Sequence, residues 1–281
     1  MGTIKFDTES IRNYIISQLK DCGFWYNELQ LQIFVALALE REFNDGYKVH
    51  LEYNLPKGWH PDFDKDYFRW GETPYFDIVL EQLGEQPKYI GIELKNKLKD
   101  VTLPPNNSTL KRFGRPIAAN CHLEKIELIK DHSARDQGRY DFWKDVKRLE
   151  LLKKHFDPEV IGGISIFVTN DSGYQKSEGD FKYSKFVFVS DPNTPKTGFL
   201  YWNFDKTRTQ NRLKGHCPDL CKSTILQCGD PQICDNCGEL LEKGKIVRPN
   251  FTLDNSYVGR WDDLGADDAH NTAFYCYSVL I

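Results

Sequence analysis

The chain has 281 residues, 40% of them hydrophobic and 28% charged, with a formal net charge of −4. That supplies enough apolar side chain for a sizeable core. It is too little positive charge for bulk electrostatics to attract a polyanion, which must be met by a local basic patch or by metal ions offsetting acidic residues. No apolar run approaches the roughly 20 residues of a membrane span, and the start, MGTIKFDTES, lacks the charged-then-apolar pattern of a secretory signal, so the expectation is a soluble cytoplasmic protein without a membrane partner.

Residues 9–20 and 27–43 read as helices. The second, NELQLQIFVALALEREF, is apolar nearly all round and is expected to be largely buried. Its polar exceptions are Glu28, Gln32 and Glu40. Residues 47–55 alternate like a strand, 56–73 read as a loop, and strands follow at 75–81 and 88–95. Residues 100–120 read as a long loop or flap, with a polar helix at 121–132. A strong helix covers 136–154, and strands are expected at 161–169, 185–190 and 273–281. Between 205 and 245 the composition turns charged and Cys-rich without apolar periodicity. The order predicts an α/β fold: a mixed central sheet flanked by helices, with residues 1–204 as core, 205–245 as a small Cys-rich insertion and 246–281 as strands returning to the core.

The segments PYFDIVL and KYIGIELK are joined by turn residues. A turn centred near Glu85 sets Asp77 opposite Glu93 and Val79 opposite Gly91. Side chains alternate along a strand, so Asp77, Glu93 and Lys95 face one way, while Phe76, Ile78, Leu80, Ile90, Ile92 and Leu94 face the core. Opposed carboxylates on a hydrophobic sheet need a cation. Mg²⁺ or Mn²⁺ suits them, with water and phosphate oxygens completing the shell and Lys95 placed to orient water or stabilise charge on a phosphate. The bland alternative is an amphipathic hairpin with a surface salt bridge. On the helix from Gln137, residues Gln137, Asp141, Lys144 and Arg148 share one face, with Phe142, Val146 and Leu149 opposite. Lys97, Lys99, Lys111, Arg112 and Arg115 could position phosphates, and Trp70 and Phe113 could stack on bases.

Asp77 followed by Glu93-Leu94-Lys95 resembles the signature of the PD-(D/E)XK nuclease superfamily, with only the Asp of the Pro-Asp element kept. Asn27-Glu28, Leu51-Glu52-Tyr53, and Asp136 to Phe142 followed by Lys144-Asp145 and Arg148-Leu149-Glu150 are similar to one sparsely characterised bacterial and archaeal branch. The resemblance covers residues 25–170 closely and implies a restriction-endonuclease-like fold. It also implies a metal site of Asp77 and Glu93, with Glu28 (or Glu40) and Glu52 as further carboxylates, Lys95 as the catalytic cation and Gln137 assisting. The placement of Gln137 and Tyr140 is similar to that of the Gln and Tyr of RecB-like nucleases, at a shorter spacing.

Five of eight cysteines lie between Cys217 and Cys237. Cys217-x3-Cys221 and Cys234-x2-Cys237 have the layout of a structural Zn²⁺ site, with Cys228 and His216 as substitutes. Lys206, Arg208, Arg212, Lys214 and Lys222 surround them, consistent with a DNA-contacting finger. The expectation that follows is a Mg²⁺-dependent endonuclease acting on nucleic acid, double-stranded DNA first, in restriction or phage defence, with room for a homodimer. The competing expectations are a catalytically inactive nucleic-acid-binding protein of the same fold and a zinc-stabilised interaction module.

Overall fold

The computed structural model describes residues 4–22, 27–43, 45–67, 74–103, 111–112, 115–116, 126–129, 135–176, 186–200, 232–233, 240–242, 245–248, 251–267 and 272–281. Helix α1 (Thr8–Cys22) begins where the Asp7 carboxylate accepts the Ser10 N–H at 2.8 Å, and it buries Ile11, Ile15, Ile16 and Leu19. Helix α2 (Glu28–Glu42) is capped by Asn27, whose side chain accepts from the Gln30 N–H. It is not buried all round: Leu29, Ile33 and Leu37, spaced four apart on one face, are exposed.

Strand β1 (Tyr47–Asn54) is followed by a short helix, α3 (Pro61–Tyr67), inside the segment that reads as loop. Phe63 and Tyr67 give α3 an apolar side that drives it into the core. Then come β2 (Tyr75–Gln82) and β3 (Lys88–Asn96), the expected hairpin. The flap region contributes β4 (Val101–Leu103), β5 (Lys111–Arg112) and β6 (Arg115–Pro116). The polar helix expected over 121–132 is not formed at its described residues. Ile126–Ile129 is a strand, β7, paired with β4, where Val101 and Ile129 are buried. Helix α4 (Arg135–His155) leads into β8 (Val160–Thr169). Residues 186–190, expected as a strand, join no sheet, although Phe186, Val187, Phe188 and Val189 are buried. After β9 (Lys196–Leu200), β10 (Gln232–Ile233), β11 (Leu240–Glu242) and β12 (Lys245–Arg248), the chain ends in β13 (Phe251–Tyr257), β14 (Arg260–Asp267) and β15 (Thr272–Leu280).

Six strands form one mixed sheet in the order β1-β2-β3-β8-β15-β14, all antiparallel except the β3–β8 pair. Parallel neighbours need a crossover, and α4 supplies it. Helices α1 and α2 cover one face with an aliphatic core, and α4 covers the other with an aromatic one. Gly91 and Gly163 pair directly in the β3–β8 register. A Cβ on either would lie 2.7 or 2.9 Å from Leu149 of α4, so both glycines let the helix lie close to the sheet. Among the described residues no helix is long and apolar enough to cross a membrane.

Candidate active site

The β2–β3 hairpin has the expected register: Val79 pairs with Gly91, and the ladder ends at Ile78–Ile92. One step further, Asp77 and Glu93 stand opposite, but the strands part there. The Asp77 carboxylate takes over the freed backbone, its Oδ2 accepting the Leu94 N–H at 2.6 Å. On the other side of β2, Glu52 stands at the matching position of β1 with φ 49°, and the β1–β2 pairing skips it. Gln32 of α2 fills that break, its Nε2 donating to both the Asp77 carbonyl and Glu52 Oε1 at 2.8 Å. The irregularity also changes the facing of β2. Phe76 packs with Val79 in the α4-side core rather than with Ile78 and Leu80.

Glu93 is 1% exposed, beneath α4 rather than on an open face. Two α4 residues reach it and its neighbour Lys95. Arg148 Nη1 lies 3.3 Å from Glu93 Oε1 and donates to Asp145 Oδ1 at 3.1 Å. Arg148 Nη2 donates to the Tyr75 carbonyl, and the guanidinium lies over the Tyr67 and Phe76 rings. Asp145 Oδ2 is 3.4 Å from Lys95 Nζ, and Lys95 Nζ donates to Glu28 Oε1 at 3.2 Å. Glu28 Oε2 accepts the Asn96 N–H. The charges therefore alternate as Glu28, Lys95, Asp145, Arg148, Glu93, with Asp77 beside them.

Four carboxylates face two cations, a formal excess of two negative charges. The electrostatics reflect this. Burial pushes the Asp77 carboxyl up to about 6, with Asp145 and Glu28 adding to the rise while Lys95 and the Leu94 N–H oppose it. Burial, with Asp145 and Asp77, holds Glu93 well above the usual carboxylate range despite Arg148. Burial works against the charge on Lys95, but Asp145, Glu28, Asp77 and Glu93 outweigh it and hold its ammonium firmly protonated. Burial likewise opposes ionisation of Asp145, and Lys95 and Arg148 overcome it.

Asp77 and Glu93 are the residues that could hold a divalent cation here. Glu93 Oε1 has the Arg148 ion pair alone, while Glu93 Oε2, and Ser165 Oγ at the paired position of β8, are buried without hydrogen-bond partners, and buried oxygens of this kind need a donor or an ion. Among the described residues no three His, Cys, Asp or Glu side chains form a metal-holding group. A hard ion taken by one or two carboxylates, with water and phosphate oxygens supplying the rest, would not need such a group.

Asp77, Glu93, Lys95 and Glu28 are thus brought together, and Glu52 is joined to them through Gln32. Glu40, the alternative to Glu28, is exposed at the far end of α2. Gln137 is exposed in the first turn of α4, eight residues before Asp145, or about 12 Å along the axis. The polar stripe read on α4 is divided: Gln137 faces solvent, while Arg148 is buried. Asp145 and Gln32 are site residues to which sequence reasoning gave no role, and Arg148 entered it only as a member of the polar stripe. Asp145 carried a signal, since it sits three after Phe142 and four before Leu149, a charge set into the apolar stripe. Cys217, Cys221, Cys228, Cys234, Cys237 and His216, with Trp70 and Phe113, lie outside the described residues. Comparisons with family models, curated proteins and solved structures each give no match.

Proposed function

We propose that the chain is a divalent-metal-dependent nuclease of the PD-(D/E)XK type, with a restriction-endonuclease-like fold, cleaving phosphodiester bonds of DNA. The observation that carries this reading is the carboxylate-rich cluster at the end of the β2–β3 hairpin, four carboxylates to two cations, with the Lys95 ammonium held between Glu28 and Asp145. Asp77 and Glu93 would hold Mg²⁺ or Mn²⁺, which when bound supplies polarisation of the phosphate and a more acidic water. Glu28 and Asp145 hold Lys95 Nζ from two sides, so the ammonium is pre-aimed at the space beside the carboxylates. Such fixed placement is what makes a charge effective at a developing transition state. Arg148 fixes the Glu93 carboxylate, and Gln32 fixes the Asp77 backbone and Glu52. Structural Zn²⁺ at the cysteines, a homodimer and a role in restriction or phage defence belong to the same proposal.

The test is plasmid and linear DNA incubated with Mg²⁺ or Mn²⁺. Wild type is expected to cut, and Lys95→Ala to lose at least 100-fold in rate, with Lys95→Arg recovering little because the planar fork does not replace a compact ammonium. Intact DNA and RNA in every metal would sink the reading. The Glu93–Arg148 pair favours one alternative, a nucleic-acid-binding protein of this fold in which an internal cation stands in for the metal. DNA binding without cutting in any metal would select it.

A further inference from the structure

We propose that a cavity at the C-terminal end of α4 takes an unpaired nucleobase of the strand presented to the nuclease centre. The identity of the ligand rests on the nuclease reading; the site itself does not. The cavity has a volume of about 410 Å³. Tyr53, Trp59, Tyr89 and Phe156 give it aromatic walls, and His155 and Glu159 line it beside them. It shares the α4 side of the sheet with the charge cluster. Leu152 in its wall follows Arg148 by about one helical turn, and Val79 lies two residues from Asp77 on β2.

Trp59 is the feature that calls for an occupant. Its ring stacks on Phe156 with centroids 5.4 Å apart and planes at 27°, yet the residue is 60% exposed. An indole braced from one side and open on the other is a stacking platform. Unpaired bases are held by such platforms because every base has a π-face. His155 is fixed by Asp66, 3.0 Å from its Nε2, and by edge contact with His60. The Glu159 side chain has no hydrogen-bond or ion-pair partner among the described residues, so its carboxylate at the mouth is free to accept. A carboxylate accepts from the amino and ring N–H groups of guanine or the amino group of cytosine, whereas the carbonyls beside the single N–H of uracil repel it. Lys88 and Lys154 adjoin lining residues in sequence; Lys88 Nζ donates to the Pro158 carbonyl beside Glu159, placing one ammonium near the cavity for a backbone phosphate, while Lys154 Nζ is paired with Asp66.

The experiment measures binding without metal, in chelator, so that cleavage plays no part. The 5′-monophosphates of guanosine, cytidine and uridine, a single-stranded hexanucleotide and its duplex are titrated by calorimetry. Guanosine and cytidine monophosphates are expected to bind more tightly than uridine monophosphate, and the single strand more tightly than the duplex. Trp59→Ala should weaken binding about 10-fold or more, and Glu159→Gln should erase the preference among bases. Both residues are exposed, so neither change threatens the fold. Equal binding of single strand and duplex, an unaffected Trp59→Ala, or equal uptake of N-acetyl-tryptophanamide would overturn the proposal, the last by marking the cavity as a seat for a protein side chain. Loss of cutting in Lys95→Ala with nucleotide binding intact separates failure at this site from failure of the nuclease reading.

Discussion

The two faces of the central sheet are built from different chemistry. Beneath α1 and α2 the core is aliphatic: Ile11, Ile15, Leu31, Val35, Ile78, Leu80, Ile90, Ile92 and Ile164. Beneath α4 it is aromatic, with Phe142, Trp143, Phe167, Phe186, Phe188 and Tyr277, and it also takes in Asp145, Arg148, Glu93 and Glu150. The aliphatic face buries one charge pair of its own, Arg12 with Asp262, away from the cluster. An aromatic face tolerates buried charge, because ring faces receive guanidinium groups such as Arg148 and ring hydroxyls reach carboxylates, as Tyr257 does to Glu150 at 2.8 Å. The charge cluster gathers where the packing already accommodates polarity.

The sharpest way to break this contrast is Arg148→Met. It strips the guanidinium from two buried carboxylates and should cost about 3–5 kcal/mol of stability in chelator, read by urea unfolding near neutral pH. Mn²⁺ should restore part of the loss if the carboxylates accept it. Asp77→Asn should act with the opposite sign. The folded-state carboxyl titrates at about 6 against an ordinary 3.8, so the native state holds a proton that the unfolded chain has released. The Asp77 contribution to metal-free stability should therefore fall as pH rises from about 4 to 6 and level off above that, with Glu93, also held high, adding a decline of its own. The Asn variant should lack the Asp77 part of that decline, be more stable above pH 6 by about 3 kcal/mol, and bind metal poorly by calorimetry. Gln32→Ala leaves the Asp77 carbonyl without its donor and should cost about 1–2 kcal/mol, with weaker metal binding as its distinguishing readout. Ile92→Val, one strand position from Glu93 but on the aliphatic face, should cost about 1 kcal/mol and leave metal affinity untouched. A large effect of Ile92→Val on metal affinity would show that the two faces are not independent.

Much of the site was legible because strand periodicity and one turn fix a hairpin register. Asp77 and Glu93 followed from that, and Val79–Gly91 is the observed pair that anchors it. The burial of Glu93 did not follow, since alternation says which residues share a face but not what covers the face. Nor did the switch of Phe76, which depends on the break at Glu52 and its rescue by Gln32, a contact from a residue 45 positions away. Asp145 looked like one more charge on a charged helix until its place between Phe142 and Leu149 was set against the sheet. On α2, hydrophobic composition alone overstated burial, because Leu29, Ile33 and Leu37 have no layer above them among the described residues.

The glycines at 91 and 163 set a clearance. By omitting two methyl groups under Leu149 they let α4 sit down on the strands, and Asp145 and Arg148 one turn or less away come within reach of Glu93 and Lys95. A side chain at either position would act as a shim. Raising the helix by a fraction of an ångström would admit water between the charges, and a wetted gap shields them from one another. The tight electrical coupling of this cluster is thus written partly in two residues that carry no charge and no side chain at all.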